Sequence, residues 1–164
     1  MDTQEYVQRR VAECYWQDDI NCATTSLRIL SDVFQLRSAD QLSDAAVGMH
    51  GAGKYGAQCG LVEGSLMFIG VLGRRSGIPD SSIVSACNDF ARQFENRFGS
   101  MLCSVFRPAG FNPSNPPHLC EKLTCEAVSF CVDFMHRFLS EHDAAAGHRY
   151  LRDFGGAFAT KRSL

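Results

Sequence analysis

An all-α fold is predicted, and three features of the sequence carry the prediction. Apolar residues recur at three- and four-residue intervals through most of the chain. No stretch shows the strict apolar and polar alternation of a half-buried strand. Capping residues, glycines and prolines stand at the ends of the periodic segments, where helices start and stop. The 164 residues, 45% hydrophobic and 21% charged, are enough to bury one core without a covalent staple. The expected architecture is a single-domain bundle of about five to seven helices over residues 1–147, with a glycine-rich loop, a proline-rich loop and a tail at 148–164.

The first helix is placed at residues 3–16, where Tyr6, Val7, Arg10, Val11 and Cys14 share a face. Asn21 is a capping residue for a second helix that runs through Leu27, Leu30, Val33 and Phe34. Ser38 followed by Gln41 forms a capping box that opens a short helix ending near Gly48. A glycine-rich loop, 48–56, comes next. Gly56, Gly60 and Gly64 then recur every four residues at the start of a helix that continues to Arg74, and this stripe without side chains allows close backbone approach. Residues 80–98 form the clearest helix, with an acidic or serine cap, Ile83, Val84, Cys87, Phe90, Ala91, Phe94 and Phe98 on its apolar side, and Gly99 as terminator. Ser100 caps one short turn. Four of the 5 prolines lie between Pro108 and Pro117, marking a long loop, and Asn115-Pro116 opens a last helix reaching about Ser140.

Charge and hydropathy narrow the function. With 16 basic against 18 acidic residues the chain lacks the cationic surface of a nucleic-acid binder. Its longest uncharged apolar run, Gly64 to Gly73, falls far short of the roughly 20 residues that span a bilayer. The charged first twenty residues hold no signal-peptide core, so a cytoplasmic protein without membrane insertion is expected.

The 8 cysteines are then the unusual feature, because they are too sparse for a secreted disulfide scaffold and numerous for a reducing compartment. Cys22, Cys59, Cys103 and Cys120 each fall at the start of a predicted helix. Cys14, Cys87, Cys125 and Cys131 fall inside helices. Free backbone N–H groups and the positive end of the helix dipole favour thiolate, the form that attacks or binds metal. The helix-start set is therefore expected to have depressed pKa values and the mid-helix set to pack as small apolar residues.

Four local contexts around the first set resemble a known pattern. Asn21-Cys22-Ala23, the run Gly56-Ala57-Gln58-Cys59-Gly60-Leu61-Val62-Glu63-Gly64, Phe98-Gly99-Ser100-Met101-Leu102-Cys103 and Leu119-Cys120 are similar to the four cysteine blocks of the C-GCAxxG-C-C family of redox-active proteins. The resemblance implies redox function for Cys22, Cys59, Cys103 and Cys120. It also relates the chain to a domain of a split-Soret-type cytochrome that holds an iron–sulfur centre. Glu63 departs from the family core, and Cys125 competes with Cys120 for the last place. No C-x-x-C-H is present, so covalent c-type haem is not expected.

Residues 48–54 spell G-x-x-x-x-G-K, the opening of a phosphate-binding loop. Tyr55 stands where a magnesium-holding hydroxyl belongs, and no strand is predicted before the loop, so no nucleotide is expected. Gly56, Gly60 and Lys54 are instead assigned to the cysteine end, the glycines for close approach and the lysine for positive charge. His50 and His118 are expected to be solvated loop histidines, with membership of such a site as the alternative. His136, His142 and His148 are expected on the surface.

The leading expectation is a helical redox protein whose four cysteines converge on an iron–sulfur cluster or other metal, for electron transfer or sensing, with an electron-transfer or thiol partner. The alternatives are a metal-free thiol–disulfide oxidoreductase using the same cysteines, and a non-catalytic interaction module in which the cysteines pack and the glycine stripe forms a helix contact or a homo-oligomer.

Overall fold

The computed structural model describes residues 2–36 and 40–146. The helices are α1 (Thr3–Trp16), α2 (Cys22–Val33), α3 (Asp40–Ala45), α4 (Gly51–Lys54), α5 (Gly60–Arg75), α6 (Asp80–Phe98), α7 (Cys103–Phe106) and α8 (Glu121–Ala146). Among the described residues the all-α prediction holds, the only extended pairing being one antiparallel bridge between Gln58 and Leu102. The count exceeds the expected one because the glycine-rich loop itself contains a four-residue turn, α4, in which Ala52 and Gly53 take left-handed φ values of 51° and 63°. The expected Ser38 cap, His148 and the tail at 148–164 lie outside the described residues. No helix among them is long and apolar enough to cross a membrane.

Two predicted starts move, each for a local reason. α5 begins at Gly60 rather than Gly56, because Gly56 adopts φ 100° and the intervening residues are drawn into the bridge with Leu102. α8 begins at Glu121 rather than at Asn115, whose side-chain amide donates instead to the Gly110 carbonyl at 2.8 Å and closes the proline-rich loop on itself. The α6 N-cap is Pro79, without a side-chain cap, while Gly99 ends the helix in the left-handed conformation at φ 84° as expected.

The core lies where α2, α5 and α8 meet, with α1 and α6 on its flanks. The Gly60 and Gly64 stripe faces α2 within the chain. A Cβ on Gly64 would stand 2.7 Å from the Ala23 carbonyl oxygen, so only glycine lets these two backbones pack so closely. Gly73 serves α6 in the same way, against Ile83. Phe90 and Phe94 of α6 are fully buried and meet Phe130 and Phe134 of α8 with ring centroids 5.2–6.3 Å apart. Burial of one such ring contributes about 1.5–3 kcal/mol. Val84, expected on this apolar side, is 68% exposed, because one residue beyond Ile83 the helix has already turned away from the core. Cys131 is buried beside Ser65 Oγ, 2.9 Å away, and burial pushes its thiol up to about 12. Cys14 is equally buried, whereas Cys87 and Cys125 are half-buried.

Asn21 does more than cap. Its Oδ1 accepts from the Thr24 amide at 3.0 Å, and its Nδ2 donates to the Ala46 and Val47 carbonyls at 3.1 and 2.9 Å, which fastens the start of α2 to the end of α3. Asn21→Ala is expected to cost about 1–2 kcal/mol, at the upper end for a lost cap because three bonds go with it, and urea titration of the two proteins measures it.

Candidate functional site

Four chain segments bring their cysteines to one end of the bundle. Cys22 is the first residue of α2, Cys59 the N-cap of α5, Cys103 the first residue of α7, and Cys120 immediately precedes α8. All four line a single cavity of about 580 Å³. Cys125, the competitor for the last place, is not among its lining residues.

The bridge between Gln58 and Leu102 sets two of the four side by side. Across it the Cys59 amide donates to the Met101 carbonyl and the Cys103 amide to the Ala57 carbonyl, both at 2.7 Å. Two helix starts are thereby fixed next to each other. Glycines provide the room: a Cβ on Gly51 would meet Cys103 Sγ at 3.0 Å, and one on Gly60 would meet Cys22 Sγ at 2.6 Å. Gly56, by contrast, packs on Ser104 and meets none of the four sulfurs. Lys54 is exposed and lies at the cavity edge.

Cys120 is held by other means. Arg107 Nη1 donates toward its sulfur at 3.6 Å, and the guanidinium sits 4.4 Å from the centre of the Phe111 ring. The start of α8 is pinned to α1 by a 2.7 Å bond between the hydroxyls of Tyr15 and Thr124 and by Trp16 Nε1 donating to Glu121 Oε2 at 3.1 Å. His118 occupies the corner, its ring 5.1 Å from Tyr15 and 4.5 Å from Trp16. His118 and His50 are therefore half-buried residues lining the cavity, not solvated loop histidines.

Cys22, Cys59 and Cys103 differ in acidity. Cys22 and Cys59 share a side-chain hydrogen bond. That bond, together with the backbone N–H groups of Leu61 and Val62, holds Cys59 below the ordinary thiol value in spite of its burial. Cys22 is pushed well above it, by giving its proton to that bond, by burial and by the neighbouring sulfurs. Cys103 is raised to about 11 by burial and by the charges that Cys59 and Cys120 would carry. The expectation that helix-start thiols are depressed as a set is thus corrected. Sulfurs gathered in one small space oppose one another's ionisation, and the thiol with the most donors takes the charge. Glu63 stands close enough for its charge to raise both Cys59 and Cys103, and one of its carboxylate oxygens is buried without a partner.

The donor set has the soft chemistry of an iron or zinc site. Among the described residues, however, no three His, Cys, Asp or Glu side chains converge closely enough to hold a metal ion. The phosphate-loop resemblance also lacks its frame, since the segment before it is helix α3 and not a strand.

Sequence reasoning missed Arg107 and the second role of Asn21. An isolated arginine before a proline carries no pattern, and charged residues default to solvent. Only the fold brings Arg107 back over Cys120.

A family model described as putative redox-active protein (C_GCAxxG_C_C) matches residues 20–134, a span that contains all four cavity cysteines. No curated protein and no solved structure matches the chain.

Proposed function

Because this chain belongs to the C_GCAxxG_C_C family of redox-active proteins, we propose that it works by thiol–disulfide exchange, with Cys59 as the attacking thiolate and Cys22 as the resolving thiol. The observation that carries this reading is the placement of the two thiols on one cavity, Cys59 at the N-cap of α5, where the helix-start N–H groups favour its thiolate, and Cys22 at the start of α2 beside it.

The step balances without a cofactor. Cys59 thiolate attacks one sulfur of a substrate disulfide, forming a mixed disulfide and expelling the other half as a thiolate. The Cys22 proton passes to that leaving thiolate. Cys22 then attacks Cys59 Sγ, releasing the second half, so that two electrons move from the protein to the substrate and a Cys22–Cys59 disulfide remains. Cys103 stays protonated near neutral pH and does not compete as nucleophile.

A second reading, binding of an iron–sulfur cluster or other metal by Cys22, Cys59, Cys103 and Cys120 for electron transfer, is favoured by the donor set alone. Four soft thiols at helix starts line one cavity. Their spacing does not bring three to a common ion, which places this reading second.

Pulse alkylation of the reduced, folded protein separates the two. Exchange predicts that Cys59 labels first, with a rate that climbs with pH through a midpoint below that of an unperturbed thiol, since thiolate is the reacting form and its pKa is lowered. Cys14 and Cys131, fully buried, should label only on unfolding. Stoichiometric iron, sulfide or zinc in anaerobically purified protein, with all four cavity cysteines protected until chelation, would transfer the assignment to the metal reading.

A further inference from the structure

The cavity is larger than two thiols need, and its polar lining is incomplete. At about 580 Å³ it falls within the roughly 300–1,000 Å³ of small-molecule sites. Three polar atoms of its lining residues are buried without a hydrogen-bond partner: Thr24 Oγ1, His50 Nδ1 and Arg107 Nε. Thr24 is 6% exposed and sits in the first turn of α2, two residues beyond Cys22. Buried donors of this kind are normally paired, so three of them around one space point to a partner supplied from outside.

The Arg107 guanidinium gives the partner its sign. Arg107 and Lys54 contribute two positive charges to the lining, against the Asp19 carboxylate and the Cys59 thiolate, and Arg107 lies on the Cys120 side of the cavity. Arg107 is backed by the Phe111 ring and spends only Nη1 on Cys120, so its guanidinium retains donors for a planar anion. Ile20, Leu61 and Phe106 supply an apolar wall suited to a short carbon chain.

Resting on the exchange reading for this same cavity, we infer that its substrate is a low-molecular-weight disulfide bearing a carboxylate, the carboxylate held by Arg107 with Thr24 and His50, and the disulfide presented to Cys59. The reaction is the exchange already balanced above, with the substrate disulfide as oxidant of the Cys22–Cys59 pair.

Binding and reaction can be measured separately on the full, reduced, metal-free chain. Calorimetry with 3,3′-thiodipropionate, which carries the carboxylates but has no disulfide to reduce, should detect binding that weakens at least tenfold in Arg107→Gln. Lys54→Gln, at an exposed position whose loss cannot unfold the protein, should weaken it by a smaller factor. Stopped-flow oxidation should be at least ten times faster with 3,3′-dithiodipropionate than with the uncharged bis(2-hydroxyethyl) disulfide, and Arg107→Gln should collapse that ratio toward one. Absence of thiodipropionate binding, or binding indifferent to both substitutions, overturns the anion site. A rate ratio at or below one in the unsubstituted protein, with Cys59 still oxidised by both reagents, overturns it while leaving exchange intact. Arginine-dependent thiodipropionate binding with no oxidation by either disulfide supports the anion site and removes the exchange reading instead.

Discussion

Cys59→Ser should abolish disulfide exchange, lowering its rate on the order of a thousandfold or more, because a serine hydroxyl is not ionised near neutral pH and cannot take the place of the thiolate. The fold should survive. Cys59 is the N-cap of α5, and serine is among the best N-cap residues, so the substitution keeps or improves the local capping. Cys131→Ser gives the opposite signature. It puts a hydroxyl into the core, with Ser65 as one available partner, and should cost about 1–3 kcal/mol while exchange in the surviving folded protein is unchanged. Stopped-flow kinetics and denaturant titration on the two variants read both quantities.

Gly60→Ala should be the most damaging glycine-to-alanine change among the described residues. The added carbon would stand 2.3 Å from the Met49 carbonyl oxygen, 2.6 Å from Cys22 Sγ and 3.1 Å from the Ala23 amide, and two of these neighbours are backbone. Relieving the clash moves the start of α5 away from both the turn at Met49 and the start of α2, at a cost of about 3 kcal/mol, and that movement parts Cys22 from Cys59. Thermal unfolding should therefore fall together with the rate of disulfide formation. Gly70→Ala, in the same helix but with nothing within 4 Å of its added Cβ, should stabilise by about 0.5–1 kcal/mol and leave the site alone. A small effect at Gly60, equal to that at Gly70, would mean that the two helices are not packed as described.

How much of this is legible in the sequence depends on whether a feature is local. The capping asparagine of α2, the glycine terminator of α6 and the apolar periodicity of both are written within a few consecutive residues, and the helices follow them. The start of α8 is not local: Asn115-Pro116 has the form of a helix start, but Asn115 finds the Gly110 carbonyl first. The helix-start placement of Cys22, Cys59, Cys103 and Cys120 could be read in advance, because the dipole argument and the four-block resemblance select the same residues; the four line one cavity, but no three of them meet closely enough to hold a metal ion. The unequal acidity of Cys22, Cys59 and Cys103 could not be read. It arises from which sulfur faces which, and that is fixed by the Gln58–Leu102 bridge and the glycine contacts between segments far apart in the chain. Arg107 was hidden for the same reason. A lone guanidinium acquires meaning only when the proline-rich loop carries it over Phe111 and Cys120.

Whether Cys59 and Cys22 form the reacting pair is decided by mapping the first disulfide. Reduced, metal-free protein is treated with one equivalent of a disulfide oxidant, the remaining thiols are blocked at once, and the cross-linked peptides are identified by mass. A Cys22–Cys59 disulfide is expected as the dominant product, with Cys103 and Cys120 still carrying the blocking group. A first disulfide between Cys103 and Cys120, or one that includes Cys87 or Cys125, would contradict it.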